Sequence, residues 1–98
     1  MATFTIKRGD TAPAIRYSLL PETVDLAGAS VVFVLAGDRL PATVVSTAPP
    51  VVEYSWQPED TASPGLRRAE FEITYQDGRI ETFPNGEYLL VHVVADLG

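Results

Sequence analysis

The side chains that could carry chemistry in this sequence are few and lie far apart. His92 is the only histidine, and there is no cysteine. A zinc site usually takes three or four nitrogen and sulfur ligands, so His92 alone cannot build one. As a general base it would need a nucleophile and an orienting acid close by. Its place within the apolar run 91–93 favours a structural or interface role.

The acidic residues offer weaker candidates. Four of them lie in or next to predicted loops: Glu59, Asp60, Asp77 and Asp96. Calcium sites use oxygen ligands of this kind, but no segment has the spacing of an EF-hand loop. An aspartate at a turn commonly bonds its own backbone. Glu70 and Glu72 share one face of a predicted strand, which is more typical of a solvated face than of a glycosidase pair.

Short motifs add little to this inventory. Arg8, Gly9 and Asp10 spell an integrin-recognition tripeptide, yet a strand end followed by a glycine turn explains the same three letters. No glycine-rich phosphate loop, GxSxG elbow or HExxH helix is present in the sequence. The sequence therefore predicts a protein that is not an enzyme and that has no cofactor and no metal site.

Length, composition and charge limit the number of domains and the kinds of partner. The chain has 98 residues, of which 46% are apolar, enough for one domain spanning 1–98. A net charge of −6 disfavours nucleic acid as a partner, because phosphates would be repelled. No apolar run approaches the ~20 residues that span a bilayer, and residues 1–8 lack the order of a signal peptide. We expect no membrane partner and synthesis in the cytoplasm.

Period-two alternation between turn signals predicts the elements that position these residues. Strand-like runs cover 3–8, 14–19, 30–36, 42–47, 51–56, 66–75, 79–83 and 87–95. Breaks fall at Gly37-Asp38, at Asp77-Gly78 and at Pro84-Asn85-Gly86. The second break predicts a type I′ hairpin and the third a further hairpin turn. Seven or eight short strands predict an all-β fold, a single Ig-like antiparallel β-sandwich.

Large apolar residues mark the predicted core and the predicted contact surfaces. Trp56 is the expected anchor, surrounded by Phe33, Phe71 and Ile73. The run 31–36 is almost entirely apolar, so it is either a central strand covered on both faces or part of an interface. Edge strands are expected either to pair with neighbours or to be blunted by three of the prolines, which are Pro13, Pro21 and Pro41.

The order of several short segments resembles one known family. They are 4–11, 24–29, 31–35, 54–56, 60–61, Gly65, 69–71, 77–78 and 82–84. Together they resemble the Ig-like N-terminal domain of phage baseplate upper proteins, over nearly the whole chain. The resemblance implies a β-sandwich of the virion that docks onto other tail, baseplate or capsid proteins and forms homo-oligomers. It covers the docking module alone, so a baseplate, tail, neck or capsid-surface position stays open.

Two other functions are compatible with the same predicted sandwich. The first is a carbohydrate- or host-surface-binding domain, in which an exposed Tyr54, Tyr75 or Tyr88 stacks on a sugar ring. Alternation places Tyr75 with Phe71 and Ile73, which favours the core for that residue. The second is a small hydrolase, which would require an acid–base set that the sequence does not present.

Overall fold

A computed structural model describes residues 2–21 and 23–97. They form nine strands: β1 (Thr3–Lys7), β2 (Ile15–Ser18), β3 (Ser30–Leu35), β4 (Asp38–Pro41), β5 (Thr43–Ser46), β6 (Val51–Tyr54), β7 (Gly65–Thr74), β8 (Ile80–Phe83) and β9 (Leu89–Val94). One short 3₁₀ helix, Pro58–Thr61, lies between β6 and β7. The prediction of an all-β fold is confirmed.

Two sheets pack against each other as a sandwich. Sheet A has the order β1-β9-β7-β3-β4, and β8 also pairs with β7. Sheet B has the order β2-β6-β5. The chain passes from one sheet to the other between β4 and β5, where the Ala42 N–H donates to the Val31 carbonyl oxygen at 3.4 Å. This corner closes one side of the sandwich, and the β1 and β2 edges lie at the other.

Two details of the predicted sandwich were wrong. There are nine strands rather than seven or eight, because β4 forms between the predicted break at Gly37-Asp38 and the predicted run 42–47, which contains only β5. The sandwich is also not purely antiparallel, since β1 runs parallel to β9 with Thr5 opposite His92. Parallel partners need a long connection, and here almost the whole chain lies between the two strands.

Every second side chain of the strands points inward, and these side chains fill the space between the sheets. Trp56, Phe33, Phe71 and Ile73, the predicted anchors, are at most 3% exposed. The Phe33 ring lies 4.9 Å from that of Phe71 and 4.7 Å from that of Tyr54, measured between centroids. The first of these contacts is tilted and the second is stacked, and such ring contacts add to the free energy gained by burying the rings. The result is one continuous aromatic core.

The outer side of β3 is covered by an ion pair. Val32 and Val34 face away from the core and are only half-buried. Arg39 on β4 and Glu72 on β7 lie on either side of β3, and their guanidinium and carboxylate groups form two hydrogen bonds of 2.7 and 3.1 Å. The methylene stems of the pair reach across the two valines. The strand is therefore central and has cover on both faces.

Two predicted turns, between β3 and β4 and between β7 and β8, differ in detail from expectation. The β3–β4 turn is centred on Ala36-Gly37, with φ of 49° and 93°, one residue earlier than predicted. At the β7–β8 turn only Gly78 has positive φ, at 90°. Its N–H donates to the Tyr75 carbonyl oxygen at 2.9 Å, so this is a three-residue loop and not the predicted type I′ turn.

Candidate functional site

A wide concavity arises where β7 changes partner. Along one side, β7 pairs with β9 up to Ala69↔Leu89 and with β8 from Phe71↔Phe83 onward. Glu70 lies between the two ladders, opposite the five residues 84–88. Because one residue faces five, the intervening backbone leaves the sheet and opens a cleft of about 650 Å³. We refer to it as the β8–β9 cleft.

The predicted hairpin at Pro84-Asn85-Gly86 was wrong in one respect. These residues do turn locally, and Gly86 has φ of 78°. The chain nevertheless continues in the same direction, because β8 and β9 are both antiparallel to β7 and lie end to end along it. The Asn85 amide holds the turn by donating to the Thr82 carbonyl oxygen at 2.8 Å.

The wall of the β8–β9 cleft combines acidic, amide and aromatic groups. Its lining residues are Glu70, Thr82, Pro84, Asn85, Gly86, Glu87 and Tyr88. The Arg68 guanidinium lies over the Tyr88 ring, 4.6 Å from its centroid, in cation–π geometry. Glu87 also acts on Tyr17, which lies on β2 and does not line the cleft: burial and the negative charge of Glu87 raise the pKa of Tyr17 above its ordinary value. Such a wall suits a polar ligand, and it presents no nucleophile paired with a base.

The structure separates His92 from the acidic residues. His92 lies on the outer face of sheet A together with Leu90 and Val94, as the alternation predicted. Its cross-strand neighbours are Thr5 on β1 and Leu66 on β7. Neither neighbour is an acid, so the site lacks the orienting carboxylate that a catalytic imidazole requires.

The Arg8-Gly9-Asp10 segment is a tethered turn at the end of β1. The Gly9 N–H donates to the carbonyl oxygen of Thr61 at 2.9 Å, and the Thr61 hydroxyl donates to that of Asp10 at 2.9 Å. The Arg8 guanidinium binds the Asp96 carboxylate at 2.7 Å. These bonds hold the segment in place. The glycine turn at a strand end, which the sequence favoured, therefore explains the Arg-Gly-Asp tripeptide.

Three of the four loop carboxylates, those of Asp60, Asp77 and Asp96, each engage a neighbour instead of converging. Asp60 accepts hydrogen bonds from the buried Tyr54 hydroxyl and, at 2.8 Å, from the Gln57 N–H at the start of the 3₁₀ helix. Asp77 accepts from the Arg79 N–H and side chain, which lowers its pKa. Within residues 2–21 and 23–97, no group of three or more acidic or histidine side chains could hold a metal ion.

Of the three tyrosines that could stack on a sugar, one borders the β8–β9 cleft. Tyr54 is 3% exposed and belongs to the core, which rules out that role. Tyr75 packs on the core, and burial together with its 2.7 Å hydrogen bond to Glu81 raises its pKa to about 12. Tyr88 lines the cleft. The sequence predicted Tyr88 as a candidate, but it predicted neither the cleft nor the position of Arg68. The one sequence signal for the cleft was the break at 84–86, which contains proline and glycine.

Comparisons with known proteins found no relative of this chain. Among the described residues, the short 3₁₀ turn is the sole helical segment, and no helix has the length and apolarity to cross a membrane. No family model matches the chain, and neither a curated protein nor a solved structure matches it.

Proposed function

We propose that this chain is a non-enzymatic structural protein of a phage virion. It acts as a docking module of the tail or baseplate, or of the neck or capsid surface, through contacts with other virion proteins. The ordered sequence segments that resemble the baseplate upper protein domain support this role. The β-sandwich agrees with the fold that the resemblance implies.

One surface of the sandwich carries the proposal. Three apolar side chains and one histidine of β7 and β9 occupy adjacent positions on the outer face of sheet A: Leu66, Leu90, His92 and Val94. We call this surface the β9 face. Leu66 is 62% exposed, and the other three are half-buried. A sheet face turned towards water normally carries polar side chains, so these apolar side chains, with the polar residues of β1 and Arg68 at their border, favour contact with another protein.

The proposal is tested on particles. Phage virions produced from a genome that encodes this chain are purified on a density gradient, and their proteins are identified by mass spectrometry. The expected result is recovery of the chain in the particle fraction, in a fixed ratio to the tail or capsid proteins. Recovery only from the soluble lysate would overturn the assignment to the virion.

A second candidate function is the binding of a carbohydrate at the β8–β9 cleft. Tyr88 supplies an aromatic ring there, and Glu70 and Asn85 supply carboxylate and amide groups that hydrogen-bond to hydroxyls. Arg68 already covers the ring at 4.6 Å, which opposes stacking by a sugar on the same face. For that reason the docking role takes precedence.

A glycan array separates the two candidates. Specific binding that Tyr88→Ala abolishes, and that Tyr75→Ala leaves intact, would favour carbohydrate recognition. Tyr75→Ala is the matched control because Tyr75 does not line the cleft. An array with no specific signal would remove this candidate and leave the docking role.

A further inference from the structure

We infer that the free edge of β1 pairs antiparallel with β1 of a second copy of this chain, around a two-fold axis at Thr5. The inference rests on the proposed docking role and names one of its contacts. Two sandwiches joined in this way share one continuous sheet A. The backbone groups, the side-chain register and the charges of the β1 edge all favour a second copy of this chain as the partner.

The other free edges in the described part of the chain each carry an obstacle to pairing. The β4 edge ends in Pro41, and β5 has a bulge at Val45. The short strand β2 is preceded by Pro13 and followed by Pro21. At β8, the Asn85 amide donates to a strand carbonyl oxygen. Proline, bulges and short length are the features with which natural proteins protect sheet edges from pairing.

The β1 edge has one obstacle only, at its last residue, where the Lys7 carbonyl oxygen accepts from the Asp10 N–H at 3.1 Å. It is five residues long, contains neither proline nor a bulge, and carries one charge, on Lys7 at its end. The Ala2 carbonyl oxygen accepts from Leu90, and the Arg8 N–H donates to the carbonyl oxygen of Val94. Backbone groups alternate along a strand, so the even-numbered residues bond to β9. Thr3, Thr5 and Lys7 therefore direct their N–H and C=O groups towards the free edge.

One antiparallel register uses the groups that have no other partner. With Thr5 opposite Thr5 of the second copy, Thr3 lies opposite Lys7, and the three pairs form about four backbone hydrogen bonds without the Lys7 carbonyl oxygen, which already accepts from Asp10. No like charges face each other, which removes the commonest penalty against a symmetric strand pair. On the inner side, Phe4 lies opposite Ile6 of the other copy. Aromatic and β-branched side chains form favourable cross-strand pairs.

An apolar groove runs beside this edge and supports the same partner. It has a volume of about 130 Å³ and lies between β1 and β2, with Phe4, Ile15, Tyr17 and Leu89 in its wall. Phe4 is half-buried in the isolated chain, so part of its ring is still open to water. Pairing at β1 brings a second Ile6 and a second groove to this opening. The contact thus buries apolar area in addition to forming backbone bonds.

The first test measures mass in solution. Light scattering on the purified chain, over about 10 µM to 1 mM and at about 0.15 M salt to screen the repulsion between acidic copies, should show a rise from 10.6 kDa towards twice that mass. Thr5→Lys places two lysines opposite each other on the axis and should keep the chain monomeric. Thr43→Lys is the matched control, because Thr43 is an exposed threonine on the bulged β5 edge.

The second test uses the absence of cysteine from the chain. Opposed Cα atoms of a hydrogen-bonded antiparallel pair are about 5.5 Å apart, a separation that a disulfide spans. Thr5→Cys should therefore form a covalent dimer on oxidation, while Thr43→Cys should remain largely monomeric. Circular dichroism melting curves of each variant confirm that it is folded before the comparison is made.

The outcomes separate this inference from the proposed function. A constant mass of 10.6 kDa up to about 1 mM, an oligomer that Thr5→Lys leaves unchanged, or equal crosslinking of the two cysteine variants would overturn the β1 pairing. If the chain is found in virions but stays monomeric, the proposed function stands and the pairing fails. If Thr5→Lys alone abolishes the dimer and the chain is absent from virions, the pairing stands and the virion role fails.

Discussion

Replacement of Ala36 in the β3–β4 turn tests the backbone geometry directly. Ala36 has φ of 49°, in the left-handed region, and it is the one non-glycine residue with positive φ among residues 2–21 and 23–97. Its side chain is exposed, so a substitution leaves the core unchanged. The left-handed conformation costs an L-residue roughly 1–2 kcal/mol. Asparagine tolerates this conformation better than alanine, and Asn-Gly is the preferred pair in type I′ turns.

The expected effect follows from that cost. Ala36→Asn should raise the free energy of unfolding by about 1 kcal/mol. For a chain of 98 residues this corresponds to an increase in Tm of about 5 °C. Ala36→Val should shift stability in the opposite direction by about 1 kcal/mol, because a β-branched residue is a genuine outlier at positive φ.

Chemical denaturation of the purified variants, followed by tryptophan fluorescence of Trp56, measures both shifts. Ala62→Asn is the matched control, since Ala62 is exposed and has φ of −67°. A surface change of this kind should stay within about 0.5 kcal/mol of the parent. The geometric argument is refuted if asparagine and valine at position 36 shift stability in the same direction, or if Ala62→Asn stabilises as much as Ala36→Asn.

Three further predictions concern the core, a loop and alkaline pH. Phe71→Ala should cost about 3–5 kcal/mol in urea denaturation, against about 0.5 kcal/mol or less for the exposed Val45→Ala, and equal costs would contradict the assignment of the core. Gly28→Ala should lower Tm, because Gly28 has φ of 73° and a Cβ there would lie 2.9 Å from the Gln76 side chain; an unchanged Tm would argue against this loop geometry. Since folding raises the pKa of Tyr75 from 10.0 to about 12, its contribution to stability is present below pH 10 and is lost as pH rises from 10 to 12. Urea midpoints at pH 9 and 11 should show this loss, and Tyr75→Phe should reduce it.

The strands and the core were predictable from local sequence. Alternation alone assigns Phe71 and Ile73 to one face and Glu70 and Glu72 to the other, and the structure has them so. This works because a strand with one face in the core must place every second side chain inside. Trp56, which follows β6, was predictable as a core residue on the same grounds.

The missed strand order and the missed cleft depend on pairings between distant residues. A Pro-Asn-Gly segment is equally compatible with a reversal and with a bulge, and only the pairing of Phe83 and Leu89 with the same strand, β7, decides between them. The parallel contact of β1 with β9 likewise joins opposite ends of the sequence. For the same reason the β8–β9 cleft could not be predicted, although Tyr88 could be named as a candidate.

The interruption between β8 and β9 makes this position a natural place for the chain to vary in length. The ladders on both sides are fixed by their own pairs, Phe83 with Phe71 and Leu89 with Ala69. Residues added between Asn85 and Gly86 therefore extend outward without changing the register of either ladder. A peptide tag or a foreign epitope can be displayed there, because Asn85 and Gly86 are both exposed.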